Sequence, residues 1–126
     1  MTSSPIYGAV LLGHGSREPG TEAEIKALCA TLASATPDRR FAYAFLNQEP
    51  KLEPAVDRLV DAGCTVIRVL PLLVFIGRHM IDDVPAELDR LRARHPGVTF
   101  ELEPYLYRLP GFADLIAKTL NADNLP

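Results

Sequence analysis

The chain has 126 residues, 48% of them hydrophobic and 23% charged, with a net charge of −3. Those values fit one globular domain, residues 1–126, large enough to bury a core. They exclude a polybasic nucleic-acid surface, and no apolar run reaches the roughly 20 residues of a bilayer span.

The chain alternates between strand and helix signals. Tyr7 to Leu12 is a continuous apolar run and reads as a buried strand. Thr21 then predicts a helix from Glu22 to about Ala35, with Glu24 completing a capping box and Ile25, Leu28, Cys29 and Leu32 on its inner face. Phe41 to Leu46 predicts a second strand. Leu52, Val56, Leu59 and Val60 mark a second helix that stops at Gly63. Thr65 to Leu70 is a third strand, with the apolar run continuing past Pro71 to Phe75. A third helix is expected over about Asp82 to Arg94, with Asp82 and Asp83 capping its start and Pro85 in its first turn. Val98 to Leu102 is the fourth strand. Gly111 to Leu120 is a closing helix with Phe112, Leu115, Ile116 and Leu120 on one side.

This alternation predicts an α/β fold, a doubly wound parallel sheet of four strands flanked by helices. The simplest order is 2-1-3-4. It sets strands 1 and 3 side by side, and a ligand crevice forms outside the carboxyl ends of such strands where the order reverses.

Each of those two strands leads to a histidine beside a glycine. His14 stands between Gly13 and Gly15 in "LLGHGSRE". His79 follows Gly77 in "LPLLVFIGRHMIDDVP". The predicted order turns both toward one crevice. Neutral imidazole binds first-row divalent metals and accepts protons near neutral pH. Arg17 and Arg78 carry planar forks suited to carboxylates. Each histidine has a plainer reading as a loop residue bonded to backbone. His95 ends the third helix, where it complements the dipole. Asp82 and Asp83 could instead orient His79.

Other chemistries are excluded by pattern. Glu18 stands where a dinucleotide fingerprint needs its third glycine, and no phosphate-loop lysine motif or GxSxG elbow occurs. Cys29 and Cys64 form no CxxC and read as small buried hydrophobes. The N-terminus carries no secretory pattern, so a cytoplasmic location is expected.

The segments "LLGHGSRE", "AFLNQEP", "LPLLVFIGRHMIDDVP" and "EPYLYRLPGFADLI" together resemble the short, single-domain form of the CbiX-type sirohydrochlorin chelatases. The resemblance implies a chelatase fold and insertion of a divalent metal into sirohydrochlorin in cobalamin or tetrapyrrole synthesis. Cobalt is the usual ion, with nickel and iron used by related enzymes. It implies that His14 and His79 hold the ion and that one of them takes pyrrole protons. Ser16, Arg17, Asn47 and Arg78 would face the carboxylate-rich macrocycle. It implies no organic cofactor and a homodimer, because larger chelatases place two such domains around a cleft. Two departures stand out. Relatives often carry an acid where Asn47 stands, so Glu49 is the candidate replacement ligand. Tyr107 occupies a position that is often glycine. Two further readings remain open: a divalent-metal or tetrapyrrole carrier, and a small-anion binder using the loop amides at the first helix.

Overall fold

A computed structural model describes residues 4–124. The strands are β1 (Tyr7–Gly13), β2 (Arg39–Phe45), β3 (Val66–Pro71) and β4 (Thr99–Leu102). The helices are α1 (Pro19–Ala35), α2 (Leu52–Asp61), α3 (Arg78–Arg94) and α4 (Phe112–Leu120). The strands form one parallel sheet in the expected order, β2-β1-β3-β4.

Side-chain alternation along the strands builds two cores. Val10, Leu12, Ala44, Ile67 and Val69 point to one face. There they meet Leu52, Val56 and Leu59 of α2, and Val84, Leu88 and Leu91 of α3. Leu11 and Phe45 point to the other face and pack on Ile25 of α1, with Cys29 and Leu32 alongside. The chain after β1 therefore crosses to one face and the chain after β3 to the opposite one. This is the topological switch that opens a crevice above β1 and β3.

Helix ends explain where the sequence signals held and where they failed. Gly63 has a φ of +98° and follows α2 as expected. Its N–H donates to Val60 O at 2.9 Å and the Cys64 N–H to Leu59 O at 3.0 Å, the two bonds of a Schellman stop. In contrast, α1 starts at Pro19 rather than Glu22, and no side chain caps it. Proline's fixed φ suits the first helical position and its missing N–H costs nothing there. Thr21 thus falls inside the first turn, and its capping box with Glu24 is not made.

Likewise α3 starts at Arg78 rather than Asp82, with Gly77 extended as its N-cap and no acid in its first turn. Residues 78–81 contain no helix breaker, so the helix runs back to the glycine. Asp82 and Asp83 do not cap it, and Pro85 lies in its interior. β3 ends at Pro71. At the far end of α3, His95 bonds Asp57 of α2 at 2.9 Å through Nε2. Arg94 bonds Glu53 and Asp57 on the same helix. The expected dipole role of His95 is joined by a cross-helix contact.

The closing helix buries none of its side chains. Leu115, Ile116 and Leu120 are 64%, 45% and 67% exposed. Most of its apolar side is therefore uncovered among the described residues.

Candidate active site

His14 sits one residue beyond β1, exposed, on a loop tied to the segment that follows β2. The Leu46 N–H donates to Gly13 O at 2.9 Å, and the Asn47 N–H donates to His14 O at 3.1 Å. Parallel pairing thus continues past the strand ends and holds the two loops in register. A Cβ on Gly13 would come within 3.3 Å of the Phe45 ring. That close approach fixes where the loop leaves the sheet.

Gly15 turns the chain with a φ of +109°. The Ser16 N–H then donates to Gln48 Oε1 at 2.9 Å, and Ser16 Oγ accepts from the Glu18 N–H at 3.1 Å. The Ser16 hydroxyl is therefore engaged in shaping its own loop. Gln48 was not among the sequence candidates. The available signal was its place beside Asn47, in the loop of a strand adjacent to β1. Gly15→Ala is expected to lower stability by about 1–2 kcal/mol, because an L side chain resists this φ. Its Cβ would also meet Gln48 at 3.3 Å. Urea unfolding checks the loss.

The Asn47 amide nitrogen lies 3.3 Å from His14 Nδ1 and 3.2 Å from Nε2. One nitrogen cannot lie along both lone pairs, which diverge across the ring. In the ring plane, a position equally close to both would collide with the carbon between them. The amide therefore covers the ring face, as in an N–H···π contact. Among the described residues neither ring nitrogen has another side-chain partner. Beside the ring lies a cavity of about 430 Å³, walled by Ile25, Leu28, Phe45 and Leu72, with Glu24 on its α1 side. Thr21, the expected cap of α1, and Glu24, its capping-box partner, both line the His14 cavity instead.

The other sequence candidates are distributed unevenly. Arg17 is exposed on the His14 loop, and Arg78 is exposed at the first position of α3. His79 belongs to the first turn of α3, not to a loop. Its side chain lies outside the described residues. Because β1 and β3 are neighbours, the sheet brings His14 and the loop leading to α3 to the same end. Glu49 is separated from His14. It lines a different cavity, of about 500 Å³, between α2 and α3 with Glu53, Asp57 and Glu87. Its carboxylate accepts the Lys51 N–H at 3.4 Å. Among the described residues no group of three or more His, Cys, Asp or Glu side chains could hold a metal ion. Burial raises the pKa of both the Cys29 and Cys64 thiols, which keeps them protonated and poor ligands.

The CbiX family model matches residues 8–122. The chain is 34% identical over 90 residues to the sirohydrochlorin ferrochelatase of Bacillus subtilis, covering 69% of this chain and 34% of that protein. It thus spans about a third of that relative. The crystal structure of a cobalamin (vitamin B12) biosynthesis CbiX protein from Marinobacter aquaeolei VT8 superposes with a TM-score of 0.75 at 30% identity, covering 93% of this chain and 96% of that one. The sirohydrochlorin chelatase SirB of Bacillus subtilis subspecies spizizenii, solved in complex with cobalt, gives a TM-score of 0.69 at 29% identity over 79% of this chain and 44% of that one. With the matched sheet order and the histidine loop after β1, these likenesses establish that the chain belongs to the CbiX family.

Proposed function

We propose that the protein inserts a divalent metal ion into sirohydrochlorin. The observation that carries this reading is His14. It stands at the topological switch of a CbiX-family sheet, with no side-chain partner but Asn47 among the described residues, on the rim of an apolar cavity. The relatives named for iron insertion and solved with cobalt support a metal substrate of this class. Cobalt is our first choice, with nickel or iron the other candidates. Imidazole ligands suit all three.

As the ion enters the macrocycle, two pyrrole nitrogens must lose protons. A base within reach of the ring is therefore required. His14 and His79 are proposed to hold the ion loosely, and one of them, freed as the ion leaves, takes the two pyrrole protons in turn and passes each to solvent. Two protein ligands leave coordination positions for the pyrrole nitrogens, whereas a closed four-ligand site would trap the ion. Asn47 covers the His14 ring and steers it. Glu49 is a candidate ligand only if the loop after β2 rearranges, since it faces the α2–α3 cavity. Ser16 meets the substrate through the loop it shapes. Arg17 and Arg78 are proposed to grip the peripheral carboxylates. Arg17→Ala should raise KM for the tetrapyrrole several-fold while leaving cobalt binding intact, as steady-state kinetics and metal titration would report.

A cytoplasmic homodimer is part of the proposal. The exposed apolar side of α4 offers a surface for pairing. The test is an anaerobic absorbance time course of sirohydrochlorin with cobalt, nickel or iron, with and without the protein. Catalytic acceleration with one metal supports the reading, and no acceleration with any metal rejects it.

Asn47 motivates a second reading, a carrier that binds metal or tetrapyrrole without turnover. An acid at this position would attract the ion and take a proton, which an amide cannot do. Under that reading spectra change only in proportion to protein, and Asn47→Glu creates turnover where the parent has none.

A further inference from the structure

We propose that the open edge of β2 is a docking groove for an extended acidic segment of a partner protein, which adds to the sheet as a fifth strand.

β2 is an outer strand, paired with β1 on one side only. Backbone N–H groups alternate in direction along a strand. The Leu46 N–H points to β1, where it meets Gly13 O. The odd-numbered residues of β2 therefore face away from the sheet. Two of them are covered locally: the Arg39 N–H donates to Thr36 O at 3.0 Å, and the Phe45 N–H donates to Pro50 O at 2.8 Å. Between them, Phe41 and Tyr43 face outward, and among the described residues neither backbone takes part in a turn, loop or cap bond. An unpaired stretch of this kind is a template for another strand.

A cavity of about 410 Å³ runs along this edge between α1 and α2. Phe41, Ala42 and Leu59 give it an apolar floor. Lys26, Arg40 and Arg58 line it, and no acidic residue does. None of the three forms an ion pair among the described residues, whereas Arg68, Arg92 and Arg94 all do. A cluster of unpaired cations is thus concentrated at one sheet edge of a chain whose net charge is −3.

The charges select the occupant. Antiparallel pairing of β2 with β2 of a second copy would set these cations against their equals, which repel. A small anion would satisfy the cations but leave the edge backbone unpaired. An acidic strand satisfies both. Arg40 shares the sheet face of Ala42 and α2, as does Arg58, while Lys26 comes from α1 on the other face. A strand whose acids lie on the α2 face therefore meets two cations, and one whose acids lie on the α1 face meets Lys26. The groove lies apart from His14 and uses none of the proposed catalytic or substrate-binding residues.

The test is fluorescence anisotropy of the full chain with a labelled hexapeptide of alternating glutamate and valine. Saturable 1:1 binding is expected, weakened by salt and at least about 10-fold weaker for Arg40→Glu/Arg58→Glu. The same peptide with every amide N-methylated keeps its charges and loses its strand donors. It should bind at least about 10-fold less well. Amide exchange at Phe41 and Tyr43 should slow in the complex. Both arginines are exposed, so the variant should keep the melting temperature of the parent. Absence of binding up to about 1 mM peptide overturns the proposal. Equal affinity for the N-methylated peptide also overturns it, since binding would then be charge adsorption without strand addition.

Discussion

His14→Ala is expected to reduce metal insertion by at least about 100-fold, the scale of losing a positioned proton acceptor, with a further loss from the missing ligand. The fold should survive. The ring is exposed, and the loop is held by bonds that do not use the imidazole: His14 O to the Asn47 N–H, Gly13 O to the Leu46 N–H and Gln48 Oε1 to the Ser16 N–H. Removing an exposed side chain of this kind shifts stability within about 0.5 kcal/mol, so the melting temperature should move by no more than about 3 °C. Parallel activity and thermal-melt measurements separate the outcomes. A collapse in melting temperature would make His14 a structural residue, and full activity would remove it from the mechanism.

Phe45→Ala is expected to cost about 3–5 kcal/mol, the range for deleting a buried aromatic ring. Phe45 is 1% exposed and fills the core beneath α1 with Leu11 and Ile25. Its ring also stands against Gly13 and forms a wall of the His14 cavity. Activity should therefore fall under conditions where the variant is still folded. Urea denaturation gives the first quantity. Turnover at low urea and low temperature gives the second. A loss below about 1 kcal/mol would mean that the core on the α1 face collapses around the gap, against the close packing seen there.

The sheet was legible in the sequence because strands buried on both faces read as continuous apolar runs. Tyr7–Leu12 has that character; Thr65–Leu70, rich in Val and Ile, departs from it at Arg68, which is exposed and pairs with Glu101 and Glu103. The helical stripes between the strands force parallel crossovers. The order 2-1-3-4 followed from connection rules rather than from any one residue. The glycine stop of α2 was legible for a local reason, since Gly63 alone supplies the positive φ. Helix starts were less legible. Thr21 and Asp82 look like caps by residue type, but a start depends on where the preceding loop releases the chain. Here Pro19 and Gly77 set that point.

Residue type alone singled out His14 and His79 as the candidates for the chemistry: glycines beside imidazoles after two apolar strands leave few other sources of a metal ligand or base. Tertiary structure decided which neighbours His14 has. It laid the Asn47 amide over the imidazole face, set Gln48 under the Ser16 loop and moved Glu24 from a helix cap to a cavity wall. It also set Glu49 on the cavity between α2 and α3, not on the one that His14 lines. Strand pairing fixes these relations between segments distant in the chain, and a period of two sends adjacent residues to opposite faces. A sequence read one segment at a time carries the period but not the pairing.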